Sequence, residues 1–232
     1  MNLIVKAAVI AREAHGKQTR KYSADPYVLH PARVAARALL LDGMSEEAVA
    51  AAWLHDVLED TDITATQLDN KIGTKVTNLV IGLTNQSKGS SLPRAERKKI
   101  DREWLSKQSP EVKRIKMLDR IDNLRDMDDA PLDFKRLYGQ ESIELAEAIG
   151  DADLMLKKEL LIYAHGLADA EDSEFVLTVY LDGGGMLQFH AGPDGDFGRD
   201  IENEGLAARL LKTFRIYGNI VDEGGETEPI RI

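Results

Sequence analysis

The chain has 232 residues, a formal net charge of −10 at pH 7, 43% hydrophobic residues and no cysteine. The acidic balance excludes the overall basic field of a general nucleic-acid binder. The missing thiols exclude a disulfide framework and any thiolate metal site, so a bound metal must be held by histidine and carboxylate. No apolar run is long enough to cross a bilayer and no secretory leader precedes the first periodic segment, which fits a cytoplasmic, reducing setting. Length allows one domain of moderate size with a small appendage.

In chain order, residues 3–15 have the periodicity of an amphipathic helix, with Ile4, Ala7, Ala8, Ala11 and Ala14 on one stripe and Gly16 after it. A polar segment from Lys17 to Tyr22 leads to the loop Ser23-Ala24-Asp25-Pro26-Tyr27. His30-Pro31 is expected to open the next helix, which runs through Val34, Ala38 and Leu41 to a stop at Asp42-Gly43. Ser45 caps the helix that follows. Further helices are expected over Thr64–Ile72, Lys75–Leu83, Pro93–Lys107, Val112–Met127 after the start signal Ser109-Pro110-Glu111, Asp133–Ile149 and Asp151–Ala164. Between two of these, Asn85–Leu92 is polar and reads as a mobile loop.

The texture changes after Leu167. Ala168–Glu174 is acidic and linker-like, Phe175–Leu181 is β-rich, and Gly183-Gly184-Gly185 turns it into Met186–Ala191 as a hairpin. A Gly/Asp loop over 192–200, one helix over Gly205–Tyr217 and a frayed acidic end follow. The fold class expected is mainly α: a helical bundle over residues 1–167 with a small α+β appendage (hairpin plus helix) over 175–232, of unknown role and a possible site of homo-oligomerisation.

The stretch Leu54-His55-Asp56-Val57-Leu58-Glu59-Asp60-Thr61 sets two acidic residues one helical turn after a His-Asp pair, on a helix otherwise built from Ala, Val and Leu. On a continuous helix His55 lies beneath Glu59 and Asp56 beneath Asp60. Charges on a helix that must bury most of its circumference need partners or a metal. A satisfied core histidine, or a salt-bridged helix end, is the competing reading. The remaining ligands are sought elsewhere: His30, at a helix start where it projects into a cleft or merely caps, and Asp119, on a helix with core-facing Ile115, Met117, Leu118, Ile121 and Leu124. Asp119 could equally be a surface carboxylate paired with Arg120 or Lys116. Taken together, His30, His55, Asp56 and Asp119 make a two-imidazole, two-carboxylate set suited to one hard or borderline cation such as Mn²⁺. Glu59 and Asp60 are then placed to orient a water and move protons.

Four segments stand in a telling order: Gly16-Lys17-Gln18-Thr19-Arg20-Lys21, Pro26-Tyr27-Val28-Leu29-His30-Pro31, the His55-Asp56 stretch, and Asp119-Arg120-Ile121-Asp122-Asn123-Leu124-Arg125. Over residues 3–165 they resemble the hydrolase half of the RelA/SpoT-type alarmone enzymes in the HD phosphohydrolase superfamily, and above all the stand-alone small alarmone hydrolases. The resemblance implies an HD-domain helical bundle that uses Mn²⁺ to remove the 3′-pyrophosphate of (p)ppGpp. It implies His30, His55, Asp56 and Asp119 as metal ligands and Glu59 and Asp60 as the residues that activate water. Arg20 would stack on guanine, a role Lys fills less well. Lys21 and the basic helix with Arg97 and Lys98 would face phosphates, and Asn123 would contact the nucleoside. Another nucleotide such as NADPH, or a non-catalytic alarmone-binding role, is the alternative. Asp122 departs from the pattern, which has an aromatic residue or histidine there; an extra carboxylate could repel phosphate or point to solvent. No synthetase domain follows, so degradation alone is expected.

Overall fold

A computed structural model describes residues 2–22 and 24–168, together with the backbone of five strands between 175 and 229. The chain divides into two compact units, Met1–Asp169 and Ala170–Ile232. Among the described residues of the first unit, ten α-helices follow one another: α1 (Leu3–His15), α2 (Leu29–Leu39), α3 (Glu46–Leu54), α4 (Val57–Asp60), α5 (Ala65–Ile72), α6 (Thr74–Leu83), α7 (Arg94–Ser106), α8 (Pro110–Arg125), α9 (Leu132–Ile149) and α10 (Leu154–Ala168). No helix among the described residues is long and apolar enough to cross a membrane.

Local chemistry sets most helix starts. The Asn2 side chain accepts from the Ile4 and Val5 amides, Ser45 from Ala48, and Ser109 from Val112 with Pro110 in the first turn. Thr64 and Gln67 form a reciprocal capping box on α5. α2 begins at Leu29, so His30 already lies in its first turn, where the missing N–H of Pro31 breaks no helical bond. α10 begins three residues later than the expected Asp151. Asp153 caps it by accepting from the Met155 and Leu156 amides, while Asp151 is occupied by Lys113.

α3 and α8 form the middle of the bundle. α3 packs against α1, α2 and α6, and α8 against α2, α6, α9 and α10. Residues Ala48–Ala52 and Leu54 of α3 are buried almost all round, which small side chains permit. α8 is buried on nearly every side as well, yet it carries Lys113, Lys116, Asp119, Arg120 and Asp122 among its buried residues. Ionised groups at such positions need partners. Each has one: Asp151 for Lys113, Lys116 for Asp119, Ser142 for Arg120 and Arg33 for Asp122.

One stretch departs from the expected single helix. α3 ends at Leu54 and α4 starts at Val57, so His55 and Asp56 occupy a turn. His55 Nδ1 donates to the Ala52 carbonyl at 2.8 Å, the acceptor that the Asp56 amide would use in an unbroken helix. The break turns both side chains inward.

In the second unit, β1 (Phe175–Tyr180), β2 (Met186–Ala191), β3 (Phe197–Asp200), β4 (Asn219–Val221) and β5 (Thr227–Pro229) lie in that order in one sheet. β1 and β2 pair antiparallel in the register Phe175 to Ala191. β3 falls in a stretch read from sequence as loop; it pairs antiparallel with β2 and parallel with β4. The glycine turn at 183–185 and the expected helix at 205–217 lie outside the described residues.

Leu160 of α10 is fully buried within the core of the first unit. Leu160→Ala is expected to lower the unfolding free energy by about 2–5 kcal/mol. Urea denaturation followed by circular dichroism measures it; a loss well under about 1 kcal/mol would mean that α10 is no core element.

Candidate metal centre

Two helices and one turn bring four donors together. His30 comes from the first turn of α2, His55 and Asp56 from the turn after α3, and Asp119 from the middle of α8. One ligand atom from each lies within 4.8 Å of all the others. His30 and His55 are almost fully buried, as is Asp119. His30 is therefore no surface cap. Asp119 does pair with Lys116, at 2.8 Å through Oδ2, but its Oδ1 turns to the imidazoles.

The hydrogen bonds fix the tautomers. His55 Nδ1 faces the Ala52 carbonyl, which can only accept, and His30 Nδ1 faces the Asp122 carboxylate at 2.6 Å. Both Nδ1 atoms therefore carry protons, and in neutral rings both Nε2 atoms present lone pairs. Those two Nε2 atoms stand 3.1 Å apart. Asp119 Oδ1 lies 3.1 Å from His30 Nε2 and 3.6 Å from His55 Nε2, and Asp56 Oδ2 lies 3.6 and 2.9 Å from the same two atoms. Two lone pairs and two carboxylate oxygens converging in a buried space repel one another unless a positive charge sits between them. Donors around one ion at about 2.0–2.2 Å stand roughly 3–4 Å apart, so the set fits a divalent cation. Hard or borderline metals suit its oxygen and imidazole chemistry.

Without the ion, protons supply the positive charge. Burial disfavours charge on the imidazoles, but the carboxylates outweigh it and hold His30 above, and His55 well above, the ordinary histidine value. Burial likewise opposes ionisation of Asp119, and Lys116 with the two imidazoles more than offsets it, driving this carboxyl well below its usual range.

A second layer holds the donors. Tyr27 donates to Asp56 Oδ2 at 2.6 Å and reaches Asp60 Oδ2 at 3.1 Å, and its ring packs 4.7 Å from that of His15. Asn123 Nδ2 donates to Asp119 Oδ1 at 2.6 Å. Asp122 is buried, neither facing solvent nor left as a bare negative charge: it accepts from His30 and from both arms of Arg33.

Glu59 sits half-buried on α4 with both oxygens engaged by Asn85, one by its backbone amide and one by its side chain, each at 2.7 Å. Burial lifts the Glu59 carboxyl above its ordinary value against the pull of Lys116 and Asn85. Burial, reinforced by Asp56, lifts Asp60 in the same direction. The loop carrying Asn85 is pinned: Ser87 binds Asp101 of α7 through its amide and hydroxyl, at 2.9 and 2.8 Å. A cavity of about 250 Å³ opens beside Glu59 and Asp60, lined also by Asn85, Lys88, Arg97 and Lys98. Burial and neighbouring Arg120 hold the Lys98 amine below its ordinary value.

The other expected ligand-binding residues lie toward the far end of α8. Arg20 donates through Nε to Asp126 at 2.9 Å and through its terminal nitrogen to Asn123 Oδ1 at 2.8 Å. Lys21 is exposed, its Nζ 4.9 Å from the Tyr22 ring centre and 5.6 Å from that of Phe134. Tyr27, Asn85 and Lys88 were not singled out from sequence as site residues; a polar loop and a lone tyrosine carry no spacing signal that would mark them.

An HD-domain family model matches residues 7–145. The chain belongs to the HD-domain family. This HD-domain chain is 37% identical over 127 residues to the Xenopus tropicalis guanosine-3′,5′-bis(diphosphate) 3′-pyrophosphohydrolase MESH1, a match covering 54% of the chain and 69% of that protein. It is 37% identical over 124 residues to the Aquifex aeolicus guanosine-3′,5′-bis(diphosphate) 3′-pyrophosphohydrolase, covering 53% of the chain and 17% of that protein. The chain spans about a fifth of the length of such bacterial relatives. Among solved structures it superposes with a TM-score of 0.57 and 27% identity on a metazoan ortholog of SpoT described as hydrolysing ppGpp, over 72% of this HD-domain chain and 94% of the other.

Because the imidazoles hold protons more readily than usual when no ion is present, a metal that needs both Nε2 atoms must expel protons. Mn²⁺ binding is expected to release protons and to weaken as pH falls through the imidazole range. Calorimetric titrations in buffers of different ionisation enthalpy measure this directly; a binding heat independent of buffer would show that the imidazoles hold no extra proton when the ion is absent.

Proposed function

We propose that the HD domain, residues 1–167, is a Mn²⁺-dependent hydrolase that removes the 3′-pyrophosphate of (p)ppGpp, giving GDP or GTP and pyrophosphate. The observation that carries this reading is the convergence of His30, His55, Asp56 and Asp119 beside a carboxylate, Glu59, that is half-buried and fixed by Asn85 but not part of the cluster. The names of the relatives supply the nucleotide.

In this reading His30, His55, Asp56 and Asp119 hold the ion. When bound, it polarises a phosphoryl oxygen and makes water a stronger acid. Glu59 accepts the proton of the attacking water. Its raised carboxyl makes it a better base than an exposed glutamate, and Asn85 keeps its oxygens aimed. Asp60, tied to Asp56 through the Tyr27 hydroxyl, orients the same water. Arg97 and Lys98 line the adjoining cavity and meet pyrophosphate oxygens there, where cationic groups offset the charge that leaves with the product. Arg20 lays its guanidinium plane on guanine while its edge stays bonded to Asp126 and Asn123, since stacking uses the face and hydrogen bonding the rim. Lys21 takes a phosphate, and Asn123 serves the nucleoside from its place between Arg20 and Asp119. Residues 175–232 form an appendage to which this reading assigns no role in the reaction.

The purified chain with Mn²⁺ and ppGpp is expected to yield GDP and pyrophosphate, resolved by ion-exchange chromatography. Intact ppGpp beside hydrolysed NADPH would reassign the substrate, and binding without cleavage of either would make the domain a sensor. Glu59→Gln is expected to keep Mn²⁺ affinity and lose turnover by roughly 10²–10⁴-fold; normal turnover in that variant removes Glu59 from the reaction. Arg20→Ala is expected to raise KM far more than it lowers kcat, and an unchanged KM speaks against stacking.

A further inference from the structure

Asp122 contacts no substrate-facing group, yet it is among the most heavily bonded side chains near the site. It is 5% exposed. Its Oδ2 accepts from His30 Nδ1 at 2.6 Å and from one Arg33 nitrogen at 2.9 Å, while Oδ1 accepts from Arg33 Nε at 2.7 Å. The same Arg33 nitrogen reaches Asp126 Oδ2 at 2.9 Å, where Arg20 Nε also donates at 2.9 Å. Arg20 continues to Asn123 Oδ1 at 2.8 Å, and Asn123 Nδ2 to Asp119 Oδ1 at 2.6 Å. Asp119 Oδ1 returns to His30 Nε2 at 3.1 Å. The contacts therefore close a ring: His30, Asp122, Arg33, Asp126, Arg20, Asn123, Asp119 and back to His30.

The ring contains two arginines and, apart from the metal-facing Asp119, two carboxylates. Asp122 and Asp126 are each paired with an arginine, Arg33 and Arg20, so neither is left as a bare charge behind the imidazole. A carboxylate behind a metal-facing imidazole fixes the ring plane and tautomer and makes Nε2 more basic. Arg33 is what keeps that carboxylate in place: its planar fork takes one edge of Asp122, and its side chain is 39% exposed against 6% for its partner. A plain surface ion pair would leave Asp122 free of His30, and the 2.6 Å bond shows that it is not.

We propose that Asp122, clamped by Arg33, is a positioning residue of the metal site: it aims His30 at the cation and, through the Arg33–Asp126 contact, sets Arg20 on the nucleotide side. This rests on the metal reading given above. Arg33 thereby joins two ends of the site that the chain keeps far apart in sequence.

The test is Mn²⁺ affinity by titration calorimetry for the full chain, D122N and R33Q at one pH, with melting temperatures taken without metal. D122N keeps the size of the side chain and removes its charge. It is expected to weaken Mn²⁺ binding by roughly 10- to 100-fold, with turnover recovering at saturating Mn²⁺. R33Q is expected to weaken Mn²⁺ by several-fold and to raise KM for the nucleotide. A D122N protein that melts lower but binds Mn²⁺ as the unaltered chain does would reduce Asp122 to a structural role and overturn the proposal. If D122N loses its helical circular dichroism, R33Q decides, because Arg33 lies at the rim; unchanged affinity and KM in R33Q overturn the proposal equally. An unaltered chain that binds no Mn²⁺ sinks the metal reading and this one together. One that binds Mn²⁺ without cleaving ppGpp sinks only the assigned reaction, since the affinity comparison still stands.

Discussion

Two imidazole nitrogens facing each other at 3.1 Å, each presenting a lone pair in the neutral ring because the Nδ1 proton is committed elsewhere, are the constraint around which this domain is built. Lone pairs so placed repel, and the nearby oxygens of Asp56 and Asp119 add negative charge to the same buried space. Such an arrangement persists only if the fold over-determines it and something positive completes it. The fold does so from three directions. A carbonyl of α3 holds His55, a carboxylate of α8 holds His30, and a lysine one turn back on α8 balances Asp119.

α8 shows how the structure tolerates this. A helix with five ionised residues among its buried positions would be unstable if any were left alone. Each is tied to a different neighbour: Lys113 reaches the turn before α10, Arg120 lies over Tyr138 of α9, and Asp122 binds Arg33 of α2. The charges that make the site therefore also position α2, α9 and α10 against the central helix. Function and packing share the same groups, so substitutions here act on both.

Much of the helical order was legible in the sequence, because caps such as Ser45, Thr64 and Ser109 and the apolar spacing of α1 and α6 act locally. The four donors were legible too, since chemistry demands histidine and carboxylate where thiols are missing. The break between Leu54 and Val57 was not, because it depends on one side chain reaching one carbonyl. Asn85 lies in a stretch whose composition reads as mobile, and that loop is held at Ser87 by Asp101, 14 residues further along, a contact that spacing does not reveal. Asp122 is the sharpest case. As a sequence position it is an extra carboxylate near an anionic ligand; in three dimensions His30 and Arg33, both about 90 residues away, turn it into support for a metal-facing ring.

The measurement that bears most directly on all of this is anomalous diffraction at the manganese absorption edge from crystals grown with Mn²⁺. A single strong peak bonded to His30 Nε2, His55 Nε2, Asp56 and Asp119, with His30 Nδ1 still on Asp122, is the expected result. Saturating Mn²⁺ that leaves the four donors without a peak, or that places the ion on other side chains, would contradict it.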